Sequence, residues 1–377
     1  TPNGDTLWTR TYAAAAGGDD TPSAIEIDRQ GNVIVACSGV ENTTFDFILL
    51  KYDPNGNLLG NYTYNHPTYG LADFAYDLAI DSNNHYYLCG STQIASGSNV
   101  DLYLIKVNAS GAVLWEDSKG YNTGNSDIAR KVLVSDSGYV YIAGGTALVK
   151  YDENGTELWD YNDTYVGSIV DISLDHDENV ALTAHKNQSY GTDIVVYKVS
   201  NTGQQSWIDT YGHSAGSEDT PYAITNAPNG DVFVVGSQEH LYSTNFQAVM
   251  LHYDGSGNFI SENTYESQAH WEDKFTDVEA LPSGRILVAG QAYEEDLFNL
   301  PSITWRFNLM AQSYADASIE AIKLTEVNAT SNQIKITNYS QVPVDISSYK
   351  LKTDNNQVNV LSSMTVLQGS LVLPPLG

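Results

Sequence analysis

The chain alternates short apolar segments with tight polar turns, and this pattern returns at a regular interval. It is clearest at residues 148–165, LVKYDENGTELWDYNDTY, where an alternating strand ends at Tyr151 and a second strand carries Trp159. The turn between them, DENG, has acidic and amide side chains that close tight turns and a glycine that accepts a positive φ. The segment therefore predicts a β-hairpin.

Related turns recur along the first three hundred residues. Their glycines, spaced by 44 to 55 residues, are Gly4, Gly56, Gly111, Gly155, Gly203 and Gly257. Another turn joins the first and second strands of each repeat and is called the first turn; its corner residues are Gly31, Asn84, Gly138, Glu178, Gly230 and Gly284. The glycine turns given above join the third and fourth strands and are called the second turn. Four short strands at this period predict the blades of a β-propeller.

The two ends of the repeat region predict how such a propeller closes. Residues 1–12 match only the last turn and strand of a repeat, and the sixth repeat lacks a clear turn and strand of that kind. We therefore predict an all-β fold with a six-bladed β-propeller over residues 1–312, in which the strand at 6–12 pairs with the strand at 302–308. Seven blades are the alternative.

One strand position of each repeat carries a small residue. These residues lie six positions beyond the first turn and are Cys37, Gly90, Gly144, Ala184, Gly236 and Gly290. They predict close packing between neighbouring sheets. Two cysteines are too few for a disulfide framework, so Cys37 and Cys89 are interpreted as small buried residues, with a bridge between them as the alternative.

The repeat pattern stops near residue 313. Residues 313–319 are interpreted as a linker, and residues 320–377 contain short alternating β segments that predict a small immunoglobulin-like β-sandwich. This stretch is short for a complete sandwich, so we expect the domain to be incomplete. The first residues contain no leader pattern, and we expect the chain to be a processed or trimmed piece.

The charge balance restricts the partners of the protein. There are 17 Lys and Arg residues against 46 Asp and Glu residues, a formal net charge of −29. Such a surface repels nucleic acid and anionic membranes, and no apolar segment approaches the length of a membrane span. Few lysines and many Asn, Thr, Ser and Tyr residues are typical of an extracellular or cell-surface bacterial protein.

An aspartate opens the first strand of five repeats. These residues are Asp20, Asp73, Asp127, Asp219 and Asp273. A ring of carboxylates would suit a Ca²⁺ ion, but a residue repeated in nearly every blade more often caps backbone N–H groups. Capping is the favoured interpretation, so no cofactor is predicted and Ca²⁺ is the alternative.

Candidate ligand-binding residues lie in the long connections of the fourth to sixth repeats. They combine aromatic, imidazole and carboxylate groups, which stack on sugar rings or hold a metal ion; the set is His213, Glu239, His240, Tyr242, His270, Trp271, Tyr293 and Glu294. The pairs His213 with Glu218 and His270 with Glu272 in these loops are candidates for a general acid and base, as the alternative to binding alone. The sequence has no nucleophile-elbow, zinc-helix or C-x-x-C motif, and no catalytic residue is predicted.

Two segments resemble known families. Residues 20–32 (DTPSAIEIDRQGN) and 149–159 (VKYDENGTELW) resemble the SBBP-type propeller repeats of bacterial surface proteins. The Gly-x-x-x-Trp turns at 4–8, 111–115, 155–159 and 203–207 also resemble the docking motif of quinoprotein dehydrogenases, although Gly60 and Ser261 replace the tryptophan in two repeats. Residues 326–327, 334–338 and 344–349 resemble the start of a lamin-tail domain.

These resemblances imply an exported, surface-associated protein of several domains, and neither domain family brings catalytic residues. The favoured interpretation is a secreted or cell-surface, non-catalytic module that binds or displays a glycan, a protein or a surface component. A propeller enzyme acting on carbohydrate, as a hydrolase or lyase, is one alternative. A structural spacer is another.

Overall fold

The fold was analysed in a computed structural model. It describes residues 6–14, 19–40, 43–68, 70–94, 100–121, 127–163, 167–188, 191–212, 217–239, 245–267, 272–281 and 284–295, with side chains up to residue 291, and the backbones of short strands beyond residue 300. The chain divides into two compact units at the Ile224–Thr225 bond. The first unit comprises Thr6–Ile224, and the second comprises Thr225–Gly377 together with Thr1–Asp5.

The first unit is a series of four-stranded antiparallel sheets, each with its strands in sequence order. Sheet 1 contains β1 (Thr21–Ile27), β2 (Val33–Val40), β3 (Phe45–Tyr52) and β4 (Leu58–Tyr64). Sheet 2 contains β5 (Asp73–Ile80), β6 (Tyr86–Gln93), β7 (Val100–Val107) and β8 (Val113–Lys119). Sheet 3 contains β9 (Lys131–Val134), β10 (Val140–Gly144), β11 (Ala147–Tyr151) and β12 (Glu157–Asn162), and sheet 4 contains β13 (Ile169–Leu174), β14 (Val180–Asn187), β15 (Thr192–Val199) and β16 (Gln205–Tyr211). The predicted four-stranded repeats are confirmed.

The strands of the later repeats follow the same order. Sheet 5 contains β17 (Asp219–Asn226), in which the boundary between the units falls, and then β18 (Val232–Glu239), β19 (Phe246–Tyr253) and β20 (Phe259–Tyr265). Sheet 6 is described by three strands, β21 (Lys274–Ala280), β22 (Ile286–Glu295) and β23 (Pro301–Thr304). These sheets in series resemble propeller blades.

The C-terminal part of the second unit consists of further short strands. They are β24 (Met310–Gln312), β25 (Ile319–Asn328), β26 (Gln333–Asn338), β27 (Val344–Asp345), β28 (Lys350–Lys352), β29 (Val358–Val360) and β30 (Val372–Leu373). β24, β25 and β26 form one sheet, β27 pairs with β30, and β28 pairs with β29. Residues 313–318 of the expected linker lie outside the described residues, and the immunoglobulin-like sandwich stays a prediction.

The turn corners expected from the sequence adopt left-handed backbone conformations. All six corners of the first turn have φ between 60° and 91°, and the described glycines of the second turn have φ between 79° and 86°. Asn84 and Glu178, the two corners without glycine, both have φ of 60°. Each corner side chain contacts the preceding sheet: the Asn84 Oδ1 atom accepts from the Arg29 N–H at 3.0 Å, and a Glu178 Oε atom lies 3.7 Å from the Lys150 Nζ atom. These contacts offset the backbone strain of a non-glycine residue there.

Apolar cores lie between consecutive sheets of the first unit. Phe47 and Leu49 of sheet 1 pack with Leu88 and Tyr103 of sheet 2, and all four side chains are buried. Equivalent clusters join sheet 2 to sheet 3 and sheet 3 to sheet 4. The second and third strands of each sheet supply most of these residues because they are covered on both faces. Hydrophobic burial therefore links each sheet to the next.

The small residues of the second strands pack closely, and their nearest neighbours include backbone carbonyls that the sequence did not predict. A Cβ atom on Gly144 would lie 1.7 Å from the Ile128 carbonyl oxygen, and one on Gly90 would lie 1.9 Å from the Phe74 carbonyl oxygen. Phe74 belongs to β5 of the same sheet as Gly90, and a β-bulge follows it at Ala75/Asp77. The closest contact of Gly90 is therefore with the first strand of its own sheet, and the Phe47 ring of sheet 1 lies 2.9 Å from the same Cβ position. Cys37 and Cys89 are both buried free thiols.

Residues 6–14 lie against the third-to-fourth-strand turn of sheet 1. They have no assigned strand, but the Trp8 indole N–H donates to the Pro54 carbonyl at 3.0 Å and the Arg10 side chain donates to the Gly56 carbonyl at 2.6 Å. Residues 305–308 of the expected partner strand lie outside the described residues. The closing pair of strands therefore stays a prediction.

Candidate functional site

Tryptophans on the fourth strands contact the turn of the next sheet. The Trp115 indole N–H donates to the Glu153 carbonyl at 3.0 Å, and that of Trp159 donates to the Asn201 carbonyl at 2.9 Å. The Trp115 ring also covers Gly155, where a Cβ atom would lie 2.6 Å from the ring. The Gly-x-x-x-Trp segments are therefore docking contacts between sheets of the first unit.

Basic residues near the end of the third strands also bind the turns of neighbouring strands and sheets. Lys106 pairs across the ladder with Trp115, and its Nζ atom donates to the same Glu153 carbonyl at 2.8 Å. These residues also face carboxylates of the first turns; the pairs are Lys51–Asp28, Lys106–Asp81, Lys150–Glu178, Lys198–Asp175 and His252–Asp231. All five of these side chains, four lysines and His252, are buried, so they stabilise the fold and are not available to a ligand.

The aspartates that open the first strands cap nearby polar groups, as the favoured interpretation predicted. In four of them the Oδ2 atom accepts a backbone N–H from the preceding loop; the pairs are Ala14 to Asp20, His66 to Asp73, Tyr121 to Asp127 and Ser267 to Asp273. Asp219 instead accepts from the Ser217 hydroxyl at 3.2 Å. Within the described part of the chain, no three His, Cys, Asp or Glu side chains are arranged to hold a metal ion.

A serine–histidine pair lies between sheets 1 and 2 and was not noticed in the sequence. The His66 Nε2 and Ser118 Oγ atoms are 3.3 Å apart, although the residues are 52 positions apart in the chain. The His66 Nδ1 atom accepts from the Thr68 backbone N–H at 3.2 Å, which places the ring proton on Nε2. This imidazole therefore donates to Ser118 and does not act as its base. Asp73 contacts the His66 backbone rather than the ring, so the triad geometry is absent here.

A charged cluster links the first strands of sheets 2, 3 and 4. The Asp77 Oδ2 atom accepts from the Val132 N–H at 2.9 Å, and the Lys131 Nζ atom lies 3.4 Å from an Asp171 oxygen. The other Asp171 oxygen accepts from the Ile224 N–H at 2.9 Å. Burial raises the pKa of Asp171 to about 6 against the opposing effect of Lys131, and burial also raises the pKa of Asp77. Burial thus favours the protonated form of both carboxyl groups.

Five of the eight predicted ligand-binding residues lie outside the part of the chain that the structure describes. They are His213, His240, Tyr242, His270 and Trp271. Glu239 ends β18 opposite Phe246 and is half-buried. Tyr293 and Glu294 belong to β22, and their backbones pair with Ile303 and Ser302. The predicted convergence of these residues stays a prediction.

The neighbours of two further candidates are described. Glu218 and Glu272 are exposed and form parallel bridges with Thr192 and Phe246, the first residues of β15 and β19. Each lies one position before a capping aspartate. The loop that leads into sheet 5 therefore lies beside the start of β15, and the loop that leads into sheet 6 lies beside the start of β19. In each case this is the end of the sheet where the second and third strands are connected.

Comparison with solved structures finds similar folds at low sequence identity. A protein from Lactobacillus plantarum has a TM-score of 0.51 at 12% identity, covering 75% of this chain and 83% of its own. A polysaccharide lyase of family PL25, an ulvan lyase, has a TM-score of 0.52 at 11% identity, covering 78% and 81%. The ulvan lyase bound to GlcA(1-4)Rha3S has a TM-score of 0.51 at 11% identity, covering 84% and 90%.

At these identities the likeness concerns the fold alone, and it supports a propeller-like architecture. No protein-family model and no curated protein sequence matches the chain. The described residues include no helix with the length and apolar character needed to cross a membrane.

Proposed function

We propose that this protein is a secreted or cell-surface, non-catalytic module that binds or displays a ligand. The observation that supports this proposal most is the use of the repeated charged residues inside the fold. The third-strand cations contact turn carboxylates and carbonyls, and the first-strand aspartates cap loops. The repeats are therefore a scaffold, and the ligand contacts belong to the loops that differ between repeats.

The finer architecture is part of this proposal. Six sheets form one six-bladed propeller, with residues 6–12 as the last strand of sheet 6, and residues 320–377 form a partial immunoglobulin-like sandwich of the lamin-tail type. The support is the spacing of the turns and the likeness of the repeats to SBBP-type sequences. Cysteines introduced in pairs at 6–12 and 302–308 would form intramolecular disulfides under mild oxidation if this arrangement is correct. Failure of every pair would favour a different closure.

A carbohydrate is the ligand class that we favour. The predicted residues combine Tyr and Trp rings with carboxylates and imidazoles, and aromatic planes flanked by polar groups suit sugar rings. One fold relative has been solved with GlcA(1-4)Rha3S, which is itself anionic, so at 11% identity it supports only the broad class of a saccharide. The net charge of −29 disfavours strongly anionic glycans.

A glycan-array screen followed by calorimetry tests this proposal. We expect wild-type protein to bind at least one glycan, and we expect Trp271→Ala with Tyr293→Ala to weaken that binding about tenfold or more, the loss expected when aromatic stacking contacts are removed. Tyr139→Ala, in the first turn of sheet 3, is the control for the loss of an aromatic ring elsewhere. If wild type and variants bind nothing, or all bind equally, the loop site is wrong.

A carbohydrate-active enzyme is the second candidate function. The specific observation in its favour is the Asp77–Lys131–Asp171 cluster, in which Asp171 has a pKa near neutrality. Turnover of polysaccharides by wild type, lost in Asp171→Asn and retained in Asp53→Asn, would support this candidate. Turnover that survives in Asp171→Asn would remove the cluster from the argument.

A further inference from the structure

Sheet 3 is shorter than its neighbours at the end where its second and third strands are connected. In sheet 3 the ladder between these strands ends at Gly144, and the two-residue connection Gly145–Thr146 follows. In sheets 2 and 4 the ladder continues for three more pairs beyond the equivalent residues, Gly90 and Ala184. At about 3.3 Å per residue, the missing pairs correspond to roughly 10 Å. We call the gap that the described residues leave here, between sheets 2 and 4, the sheet-3 notch.

Backbone hydrogen bonds fix the notch between the two longer sheets. The Gly145 carbonyl, in the floor of the notch, accepts from the Ile169 N–H of sheet 4 at 2.7 Å. The Asp127 N–H, in the loop that enters sheet 3, donates to the Val100 carbonyl of sheet 2 at 2.8 Å. Both neighbouring sheets also share apolar cores with sheet 3. The longer ladders of sheets 2 and 4 therefore form the two walls of the notch.

Arg130 lies beside the floor of the notch. Its backbone N–H donates to the Ala143 carbonyl at 2.8 Å, and a Cβ atom on Gly144 would lie 2.8 Å from the same nitrogen. Arg130 is exposed, and no ion pair within the described part of the chain includes it. The loops of these repeats that lie outside the described residues contain no Asp or Glu; they are residues 95–99, 122–126, 164–166 and 189–190. The Arg130 guanidinium is therefore available to an anionic group of a ligand.

His185 lies in the wall of the notch that sheet 4 forms. It is half-buried; its backbone N–H donates to the Ser168 carbonyl at 3.1 Å, and its carbonyl accepts from the Gly167 N–H at 2.5 Å. Burial lowers the pKa of His185, and the positive charge of Arg130 lowers it further. The two side chains are therefore close enough to interact, and the imidazole is neutral at neutral pH. A neutral imidazole offers one hydrogen-bond donor and one acceptor to a ligand.

Carboxylates around the notch limit the charge that a ligand can carry. They lie next to its floor or in its walls and are Asp127, Asp163, Asp101 and Asp193, the last opposite Lys186 in the ladder. The Asp127 carboxylate accepts from the Tyr121 N–H at 2.8 Å. The Asp163 carboxylate accepts from the Tyr161 hydroxyl at 3.3 Å. Their negative charge repels a polyanion, whereas a single carboxylate can pair with Arg130.

We propose that the sheet-3 notch binds an oligosaccharide that carries a single carboxylate. Arg130 pairs with the carboxylate, whose planar geometry matches the guanidinium fork, and the His185 imidazole bonds sugar hydroxyls. The Thr146 hydroxyl donates to the Asn162 side chain at 3.1 Å and keeps lone pairs that accept from a further sugar hydroxyl. The choice of a saccharide rests on the proposed function, but the notch is separate from the predicted loop site of the later repeats.

Calorimetry with three small saccharides tests the proposal. They are xylotriose, which is neutral, xylotriose with one glucuronic acid branch, and trigalacturonic acid, which has a carboxylate on every sugar. We expect the branched saccharide to bind wild-type protein about tenfold more tightly than xylotriose, because of the charge-assisted pair with Arg130. Trigalacturonic acid should bind more weakly than the branched saccharide. Arg130→Gln should bring the affinities for the branched saccharide and xylotriose within about twofold of each other.

Matched variants separate the notch from other surfaces. Arg29→Gln, which removes an exposed arginine in the first turn of sheet 1, should keep the preference for the branched saccharide. Thr146→Trp fills the floor of the notch and should weaken the binding of both xylose saccharides. A preference that survives in Arg130→Gln, equal binding of the two xylose saccharides by wild type, or tighter binding of trigalacturonic acid would overturn the proposal.

Failure of this proposal is distinguishable from failure of the proposed function. If wild-type protein binds a glycan on the array but neither xylose saccharide, the notch is wrong while the proposed function stands. If the branched saccharide still binds to Trp271→Ala with Tyr293→Ala but not to Arg130→Gln, the notch is supported as a site of its own. If no glycan of either experiment binds, both proposals are wrong.

Discussion

Lys106 and Trp115 are direct cross-strand partners, and both donate to the carbonyl oxygen of Glu153, at 2.8 and 3.0 Å. Two donors of different chemistry thus share one backbone acceptor in the following sheet. The acceptor has two lone pairs and satisfies both. The stability of the first unit depends on how much each donor contributes.

Trp115→Phe removes one donor while keeping a ring over Gly155. We expect the free energy of unfolding to fall by about 1 kcal/mol from the lost hydrogen bond, with a further loss from the smaller ring. Urea unfolding followed by circular dichroism measures the change. Leu114→Ala, one position away and exposed, is the control and should change stability little; an equal loss in both variants would contradict the docking role.

Gly155→Ala tests the contact between the turn and the tryptophan ring. Gly155 has φ of 84°, and an added Cβ atom would lie 2.6 Å from the Trp115 ring. Gly138 has φ of 86° with no atom within 4 Å of the same Cβ position, so it isolates the backbone strain of about 1–2 kcal/mol. We expect Gly155→Ala to destabilise the protein by about 1–3 kcal/mol more than Gly138→Ala because the ring must move. Equal effects would mean that the ring contact contributes nothing.

Asp171→Asn tests the charged cluster through its pH dependence. The folded-state pKa of Asp171 is about 6, raised from 3.8, so its protonated form is favoured by folding. Asp171 therefore stabilises the wild-type fold fully below pH 3.8, and this stabilisation is lost as the pH rises through 6. We expect the stability of Asp171→Asn relative to wild type to increase between these values by up to about 3 kcal/mol and to level off above them.

Urea unfolding at a series of pH values measures this change, and Asp53→Asn is a control of opposite sign. Hydrogen bonds from Asn57 lower the pKa of Asp53, so its contribution is lost as the pH falls. Its substitution should therefore matter more at neutral pH than in acid. A pH-independent difference between Asp171→Asn and wild type would show that Asp171 does not titrate as stated.

Asp73→Ala removes a loop cap and leaves the buried His66 backbone N–H without the acceptor that it has at 2.7 Å. We expect a loss of about 1–3 kcal/mol, and a smaller loss in Asp73→Asn, which keeps an oxygen at this position. Thermal unfolding of the wild-type protein with and without a chelator tests the Ca²⁺ interpretation in the same experiment. The midpoint should not move, and a lower midpoint with chelator would favour the Ca²⁺ interpretation of the aspartates.

The repeat architecture was predictable because its signals are local. A turn corner needs a positive φ, and glycine at Gly155 and its equivalents reports that need directly. Asn84 and Glu178 followed from spacing alone, and their side-chain contacts with the preceding sheet explain why glycine is dispensable there. The capping role of Asp73 was predictable for the same reason, since its partner lies seven residues away.

The contacts between sheets were much less predictable. His66 and Ser118 are 52 residues apart, and Lys131 and Asp171 are 40 residues apart, so neither pair forms a sequence motif. The ring tautomer of His66 depends on the Thr68 backbone, which no residue pattern records. The contact of Gly90 with the Phe74 carbonyl was not predicted because the bulge that follows Phe74 has no sequence signal of its own.

The docking of these tryptophans on turns later in the chain also affects the order in which the sheets are completed during synthesis. Trp115 reaches Glu153 and Trp159 reaches Asn201, so the acceptor always lies about forty residues nearer the C-terminus. During synthesis, a sheet whose four strands have already left the ribosome still exposes its indole until the following hairpin emerges. Folding of the first unit is then expected to advance one sheet behind translation, with a single unsatisfied aromatic ring at the growing end.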